Sequence, residues 1–338
     1  MALLTESDGP VPAPYVCPGT HAPLEYRSDG LYTPDGARYP LLQSPDGLRV
    51  IPDFRTDVAA DSPAPADPYA GAKAAEIYEN FMSWLFATFG VSEDYLRAQL
   101  VKRLALQSGQ RVLVTGCGLG GDLLAVRNAV GPTGSVFGQD LSAVMIMEAS
   151  RRVASTFTAG EPNGVHLSVG DAAALPFPDR FFDSALHFGG INGFEDPGRA
   201  IAEMNRVVRV NGTVVFGDEG VAPWLRRLEY GQMAITNNRL WSAEAPLALL
   251  PSFSQTVTLT WLLGNCFYLV SFCVGDSLPY MNPDIPHKGV RGGSMRSRFY
   301  GQIEGIHPDL KARLLAAAAA DGTSVVAWLE AAIEKELL

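Results

Sequence analysis

Cysteine and histidine are scarce in this chain, which has four cysteines and five histidines among 338 residues. The cysteines are Cys17, Cys117, Cys266 and Cys273. They are scattered and form no C-x-x-C pair, which argues against a zinc cluster or a disulfide framework. Cys266 and Cys273 lie an odd number of positions apart on one predicted strand, so their side chains face opposite sides and should not bond. We therefore expect reduced thiols and a cytoplasmic location.

Positive charge and long apolar runs are lacking too. The chain has 26 Lys and Arg against 36 Asp and Glu, a formal net charge of −10 and a pI near 5.0. Nothing offsets phosphate repulsion, so we expect no nucleic-acid partner. No apolar run reaches membrane-spanning length, and Met-Ala-Leu-Leu-Thr-Glu-Ser-Asp lacks the charged start and apolar core of a signal peptide. We expect no membrane association.

Glycine is abundant, and four of the 34 glycines cluster in one short turn. A β-branched apolar run, Val112 to Val114, predicts a buried strand, and the stretch from Asp122 to Arg127 predicts a helix. The turn between them contains Gly116, Gly118, Gly120 and Gly121. Such a turn lets backbone amides approach a ligand at the start of a helix. The spacing fits both G-x-G-x-x-G, typical of dinucleotide sites, and G-x-G-x-G, so it does not by itself identify the ligand.

Strand and helix patterns alternate from Arg111 onward, which is typical of a parallel sheet with helices on both faces. The predicted strands are 111–115, 135–139, 165–169, 182–188 and 213–217. The predicted helices are 121–130, a helix that ends at Thr156 with Ser142 as its N-cap, and 197–208. Asn211-Gly212 predicts a turn before the fifth strand, and Gly264-Asn265 predicts a closing hairpin. We predict an α/β fold: a Rossmann-like doubly wound sheet, mostly parallel with a closing antiparallel hairpin. A small N-terminal β-rich module and a C-terminal helical extension flank it.

Three further motifs follow the glycine turn. In Gly138-Gln-Asp-Leu-Ser142, Asp140 ends the second strand and could accept hydrogen bonds from both hydroxyls of a ribose. The next motif, Gly170-Asp-Ala-Ala-Ala-Leu-Pro-Phe177, places an acid directly after the third strand. The last joins Phe181-Phe-Asp-Ser184 to Arg206-Val-Val-Arg-Val-Asn-Gly-Thr-Val-Val215. A nicotinamide site has no comparable reason for an acid after its third strand.

Together with Gly116-Cys-Gly-Leu-Gly120, these motifs resemble the class I S-adenosylmethionine-dependent methyltransferases, closest to the ubiquinone/menaquinone C-methyltransferase-like branch. The resemblance implies S-adenosylmethionine as cofactor and S-adenosylhomocysteine as product. In that family the acid equivalent to Asp140 binds the ribose, and the acid equivalent to Asp171 accepts from the adenine amino group. The cofactor-binding residues that it implies are Thr115, Gly116, Cys117, Gly118, Gly120, Asp140, Leu141, Asp171, Ala172, His187 and Phe188.

The chain departs from the family at one position. Two residues before the first glycine the family usually has Asp or Glu, whereas this chain has Val114. In the family that acid lies near the amino-acid end of the cofactor. Thr115 could replace only part of the acid's hydrogen bonding. The resemblance therefore leaves open how the methionine ammonium is held.

Candidates for catalysis and substrate binding border the loop after the fourth strand. His187 is the only histidine of that loop, and it could be a general base or a core histidine. A base is needed only if the nucleophile arrives protonated. Asn192 is placed to contact the substrate, and Tyr78 lies on an aromatic helix before the first strand, where the family has a lid. The catalytic candidates are His187, Asn192 and Tyr78, and the substrate-binding candidates are Tyr69, Tyr78, Asn192, Arg291, Arg296 and Arg298.

Two charged clusters are equally compatible with a solvated loop and with a binding role. Asp218-Glu219 ends the fifth strand at the same sheet edge. The stretch 287–298 places Arg291, Arg296 and Arg298 among glycines, and such arginines can bind a carboxylate or phosphate bidentately. We hypothesise that they capture an anionic group of the acceptor or the carboxylate of the cofactor.

The N-terminal segment resembles the small zinc-ribbon-like module found on or beside some methyltransferases. Thr20 occupies the position that would complete Cys17-Pro-x-Cys, and one thiolate cannot hold zinc, so we expect no metal. We predict four regions. They are a metal-free β-rich module at 1–60, a linker and helical lid at 61–108, a cofactor-binding domain at 109–275 with an insert at 222–251, and a C-terminal arm with helices at 276–338.

The predicted function is S-adenosylmethionine-dependent methyl transfer to a small-molecule acceptor, in a biosynthetic pathway. Three alternatives stay open. One is an enzyme that uses the same cofactor without methyl transfer, by cyclising its aminobutyryl arm. Another is a catalytically silent subunit that binds the cofactor for stability. The third is a nicotinamide oxidoreductase, which G-x-G-x-x-G favours and Asp171 opposes.

Overall fold

The computed structural model describes residues 15–55, 71, 73–157, 164–290, 292–300 and 307–337. They divide into two compact units, the first ending at Pro279 and the second beginning at Tyr280. The predicted division into four regions remains a prediction. All four cysteines carry free thiols.

The N-terminal part of the first unit forms a four-stranded antiparallel sheet. Its strands pair in sequence order: β1 (Glu25–Arg27), β2 (Gly30–Tyr32), β3 (Arg38–Gln43) and β4 (Val50–Pro52). Phe54 follows β4, and its ring centroid lies 5.1 Å from that of Tyr15 and 5.2 Å from that of Tyr39. The Phe54 N–H donates to the Val169 carbonyl at 2.8 Å, so this segment extends the edge of the main sheet.

Two helices, α1 (Ala74–Phe89) and α2 (Glu93–Leu104), lead into the main sheet. The sheet has seven strands in the order β10-β11-β9-β8-β5-β6-β7. The strands are β5 (Arg111–Thr115), β6 (Ser135–Asp140), β7 (Val165–Val169), β8 (Phe182–Phe188), β9 (Val208–Glu219), β10 (Gln255–Leu262) and β11 (Phe267–Cys273). Strand β11 is antiparallel to both β9 and β10, whereas β5 to β9 pair in parallel. The predicted class I fold is confirmed.

Helices cover both faces of this sheet. The connecting helices are α3 (Gly121–Val130), α4 (Ala143–Thr156), α5 (Pro197–Val207) and α6 (Glu229–Asn237). Side chains of α1 to α4 form one apolar core with residues such as Val114, while α5 and the N-terminal aromatic residues form a second core with residues such as Leu113. Ser142 caps α4 as predicted, since its hydroxyl accepts from the Met145 N–H at 3.4 Å. Both faces of the sheet are therefore covered by buried apolar side chains.

The predicted turn at Asn211-Gly212 was wrong. Strand β9 runs from Val208 without interruption, and Asn211 has a left-handed φ of 62° inside it. The pairing of β8 with β9 shifts register there, which is a β-bulge that leaves the extra residues unpaired with β8. Asn adopts a left-handed backbone more readily than most other non-glycine residues. The Asn-Gly pair, which is typical of a turn, therefore also fits a β-bulge.

The closing hairpin is confirmed, but its connection is longer than the predicted Gly264-Asn265 pair. Strand β10 ends at Leu262, and β11 begins at Phe267. In the loop between them, Leu263, Gly264 and Asn265 have left-handed φ angles of 46°, 62° and 62°. A loop with three such residues bends the chain more gradually than a two-residue turn.

The second unit contains α7 (Met295–Tyr300), α8 (Pro308–Ala320) and α9 (Val325–Leu337). No single helix of the described residues is long and apolar enough to cross a membrane. In the described part of the chain, α8 and α9 reach that length and composition only when taken together, with a bend of 102° between them.

Replacement of Gly212 by Ala tests the tight packing at the bulge. A Cβ there would lie 2.4 Å from the Asp183 carbonyl oxygen and 2.5 Å from Val208 Cγ1, so backbone must move. We expect the free energy of unfolding to fall by about 1–3 kcal/mol in urea denaturation. Gly19→Ala is the control, because a Cβ there meets no heavy atom within 4 Å. Equal stability of the two variants would contradict this account of the bulge.

Candidate active site

The glycine turn between β5 and α3 adopts a backbone that only glycine accepts readily. Gly116, Gly118 and Gly120 have φ angles of 58°, 51° and 84°, whereas Gly121 begins α3 with ordinary helical backbone. The left-handed positions follow G-x-G-x-G and not G-x-G-x-x-G. The free N–H groups at the start of α3 face the turn, as in sites that bind polar ligands.

Two side chains lie against this turn. A Cβ on Gly118 would sit 3.6 Å from Tyr78 Cζ, so the α1 tyrosine contacts the turn. A Cβ on Gly116 would sit 2.8 Å from His187 Cε1, so the histidine lies directly beneath it. The structure therefore brings together two of the three catalytic candidates.

Asp140 ends β6 and holds the turn by hydrogen bonds. Its Oδ2 accepts from the Gly118 N–H at 2.8 Å, and its Oδ1 accepts from the Ser142 N–H at 2.9 Å. Each carboxylate oxygen has two lone pairs and can accept more than one hydrogen bond. The carboxylate is half-buried and fixed in orientation.

Asp171 lies at the end of the neighbouring strand, β7. Its Oδ1 accepts from the Ala173 N–H at 2.8 Å, and the Gly170 N–H donates to the Asp140 carbonyl at 2.9 Å. The two acids thus occupy adjacent strand ends at one rim, each with a backbone donor that fixes its carboxylate.

Other predicted cofactor residues are more enclosed. Cys117 is buried, and burial raises the pKa of its thiol well above the usual range, so it stays protonated. Ala172 is buried and Leu141 half-buried. Phe188 stacks on Phe267 with ring centroids 6.0 Å apart.

His187 is buried beneath the turn, with 1% of its surface exposed. Its Nδ1 lies 3.0 Å from the Thr115 carbonyl and 3.2 Å from the Thr115 hydroxyl. Burial lowers the pKa of the imidazole, and the Asp218 charge opposes that shift only in part. His187 is therefore neutral at pH 7, and Thr115 serves it as a partner from inside the core. Among the described residues, no group bonds its buried Nε2.

Asn192, in the loop after β8, is anchored at three points. Its backbone N–H donates to Asp218 Oδ2 at 2.7 Å, and its Nδ2 donates to the Glu219 carbonyl at 2.7 Å. The Tyr268 hydroxyl donates to its Oδ1 at 2.8 Å. The amide is thus engaged by the protein and holds the loop against the ends of β9 and β11.

Among the acids at this edge of the sheet, Glu219 has the most strongly shifted pKa. Burial, followed by the adjacent Asp218 carboxylate, raises its pKa from 4.5 to about 8. Trp241 lies beside it, and the Trp241 ring packs 5.9 Å from Phe89 and 5.5 Å from Phe267. The sequence indicated Asp218-Glu219 only as an open alternative, and it offered no signal for Trp241 or for Tyr268.

A cleft of about 350 Å³ opens beside Asn192. Its lining combines apolar and charged residues, namely Ile191, Asn192, Pro197, Arg239, Leu240, Ser242, Ala243, Glu244 and Pro246. Glu244 is paired with Arg226 at 3.0 Å, whereas Arg239 makes no ion pair with any described residue. Nothing in the sequence pattern marked this insert as a cleft wall.

The remaining substrate-binding candidates are Tyr69, Arg291, Arg296 and Arg298. Tyr69 and Arg291 are outside the described residues. Arg296 and Arg298 belong to the second unit, where Arg296 binds the Asp284 carboxylate at 2.8 and 3.3 Å and Arg298 donates to the Gly292 carbonyl. Within the described ranges, no group of three or more His, Cys, Asp or Glu side chains could hold a metal.

The sequence is similar to methyltransferases over the region that carries this site. Residues 113–216 match a family model described as a methyltransferase domain. A demethylmenaquinone methyltransferase from Staphylococcus aureus (strain JH9) is 36% identical over 119 residues, which are 35% of this chain and 47% of that protein. The chain thus matches about half the length of that relative. The predicted methyltransferase resemblance is confirmed for this region, whereas a zinc-ribbon module is not.

Solved structures with a similar fold include two methyltransferases. Phosphoethanolamine N-methyltransferase 2 of Haemonchus contortus, in complex with S-adenosyl-L-methionine, is 14% identical, with 64% of this chain and 62% of that chain covered and a TM-score of 0.49. A putative S-adenosyl-L-methionine-dependent methyltransferase from Methanococcus maripaludis is 17% identical, with 65% and 100% covered and a TM-score of 0.47. At this level the likeness carries no information about the substrate.

Asp140→Ala should weaken S-adenosylhomocysteine binding by about 1.5–3 kcal/mol, because the ribose diol would lose a charged acceptor. Asp171→Asn should cost less, since its amide oxygen still accepts a hydrogen bond. Isothermal titration calorimetry of both variants measures the difference. An unchanged affinity of Asp140→Ala, or a greater loss in Asp171→Asn, would show that the adenosine lies elsewhere.

Glu219→Gln should change the pH dependence of stability. The raised pKa of Glu219 means that its contribution is fully present below pH 4.5 and is lost as the pH rises towards about 8. The Gln side chain does not titrate, so the variant does not lose stability in this way. The free energy of unfolding of the variant relative to the parent should therefore rise between pH 4.5 and about 8 and level off above that range. Urea denaturation at several pH values measures this, with the exposed Glu195→Gln as control. Parallel curves for parent and Glu219→Gln would refute the buried, protonated carboxyl.

Proposed function

We propose that this chain, in which residues 113–216 form a class I methyltransferase domain, binds S-adenosylmethionine and transfers its methyl group to a small-molecule acceptor. The observation that carries the proposal is the hydrogen bond from the Gly118 N–H to the Asp140 carboxylate at 2.8 Å. It joins the glycine turn to an acid at the next strand end, so backbone donors and a diol acceptor face one space. That combination suits an adenosine with a charged tail.

The residues at the rim fit the adenosine part of the cofactor. Asp140 would hold the ribose hydroxyls and Asp171 the adenine amino group. Asp171 Oδ1 is fixed by the Ala173 N–H, which orients the carboxylate without using its second oxygen. A nicotinamide dinucleotide carries the same adenine amino group, so the choice of S-adenosylmethionine is supported instead by the match of residues 113–216 to a methyltransferase domain.

The methyl group would lie over the loop after β8. A Cβ placed on Gly189 or Gly190 would meet no heavy atom within 4 Å, so there is open space above this loop. Asn192 anchors the loop to the ends of β9 and β11. The cleft beside Asn192, at about 350 Å³, has the size of a small-molecule site. We therefore place the acceptor in this cleft.

When bound, the cofactor supplies an electrophilic methyl on a sulfonium. The chain's own residues must then align the acceptor and exclude water. Trp241 lies beside Glu219 and packs against α1 through Phe89 and against β11 through Phe267. For an acceptor that arrives protonated, Glu219 is the base we propose. With a pKa of about 8 it is partly ionised near neutral pH, and the ionised fraction can take the proton.

The acceptor class follows from the cleft and the overall charge. A net charge of −10 argues against nucleic acid, and the 36% identical relative is named for a small-molecule substrate. Arg239, on the cleft, suits an anionic group of the acceptor better than Arg296, whose guanidinium is already paired with Asp284. We propose a biosynthetic small molecule with an anionic substituent.

Two measurements test this function. S-Adenosylhomocysteine should raise the melting temperature of the protein, whereas NADH and NADPH should not. With an acceptor panel, methyl-labelled cofactor should label the acceptor and carboxyl-labelled cofactor should not. Cyclisation of the aminobutyryl arm would instead leave the acceptor unlabelled in both cases, with the carboxyl label in a cyclic product and the methyl label in 5′-methylthioadenosine. Stabilisation by NADH or NADPH alone would overturn the proposal, and binding without turnover on any acceptor would favour a silent subunit.

A further inference from the structure

The loop that follows β7, residues 170–177, carries Asp171 and is held from two sides. Helix α5 holds its second half. The Leu175 N–H donates to Glu203 Oε2 at 2.9 Å, and the Arg206 guanidinium donates to the Leu175 carbonyl at 3.0 Å. Asp171 lies in the first half of this loop, so the position of its carboxylate depends on what holds the start of the loop.

The segment that follows the N-terminal sheet holds the start of this loop. Asp53 pairs in parallel with Val169, the last residue of β7, and the Phe54 N–H donates to the Val169 carbonyl at 2.8 Å. The next residue of the loop is Gly170. A Cβ there would lie 3.5 Å from Phe54 Cβ and 2.6 Å from Gln139 Nε2, so Gly170 is packed between these two side chains.

The N-terminal residues contact the end of the same loop as well. The Val16 N–H donates to the Pro176 carbonyl at 3.0 Å. The ring centroid of Tyr15 lies 5.4 Å from that of Phe177 and 5.1 Å from that of Phe54. All three of these aromatic side chains are buried in one core cluster. A single aromatic cluster therefore connects both ends of the loop to the N-terminal part of the chain.

We propose that Tyr15 and Phe54 are positioning residues for ligand selection: through the loop 170–177 they hold the Asp171 carboxylate in line with the amino group of the base. This rests on the proposed function. Neither residue touches the ligand. A loop that is fixed at both ends pays less ordering entropy when the ligand binds, and the strength of a hydrogen bond depends on its alignment. The N-terminal module thereby contributes to recognition of the base.

The test compares two ligands that differ at this amino group. S-Adenosylhomocysteine carries it, whereas S-inosylhomocysteine has a carbonyl oxygen there, which cannot donate to Asp171. We expect calorimetry to show that the parent binds S-adenosylhomocysteine at least about 10-fold more tightly than S-inosylhomocysteine. In Phe54→Ala and in Tyr15→Ala the loop is released, so this preference should shrink to about 3-fold or less. Either variant alone tests the proposal if the other does not fold.

Two controls separate positioning from a loss of stability. Leu100→Ala truncates a fully buried side chain of the other core, so it should lower the melting temperature but leave the preference unchanged. Phe54→Leu keeps an apolar side chain of similar bulk and should keep most of the preference.

The outcomes that would overturn the inference are an unchanged preference in Phe54→Ala and Tyr15→Ala, an equal reduction in Leu100→Ala, or a parent that binds both ligands equally well. A parent that binds neither ligand would overturn the proposed function itself.

Discussion

The bond from the Gly118 N–H to Asp140 is the constraint on which the candidate site depends. The turn has left-handed backbone at alternate residues, and within it the Gly120 N–H bonds the Cys117 carbonyl at 2.9 Å. A turn of this shape has few internal bonds and needs external ones to hold it. Asp140 supplies them from β6 and also bonds Ser142 at the start of α4. One carboxylate thereby fixes the mutual positions of β6, the glycine turn and α4.

The opposite end of the rim is dominated by buried charge. Asp218 is fully buried and accepts two backbone N–H bonds, from Asn192 and Glu219. A second carboxylate beside it would be costly in a medium of low dielectric constant, so Glu219 retains its proton to a higher pH. Carboxyl groups with a strongly shifted pKa are typical of functional sites. The pair of Asp218 and Glu219 lies next to the Asn192 loop, where the proposed methyl transfer takes place.

Local rules predicted most elements because pattern and environment agree in them. The strands 111–115, 165–169 and 182–188 have the predicted limits, and each of them ends directly before a glycine. The local rules failed at Asn211-Gly212, where a sequence typical of a turn forms part of a bulge in β9. A local pattern cannot distinguish the two, because the pairing partner of a bulge is remote in sequence.

The sequence by itself determined the fold, the glycine turn and the acids Asp140 and Asp171 at adjacent strand ends. It could do so because parallel connections bring the carboxyl ends of all strands to one edge. Only the tertiary structure decided that Asn192 is an anchor, that Glu219 holds a proton to about pH 8, and that Phe54 bonds the end of β7. These properties depend on distances and burial among residues far apart in the chain. Coulomb energies and desolvation are set by that geometry and not by residue type.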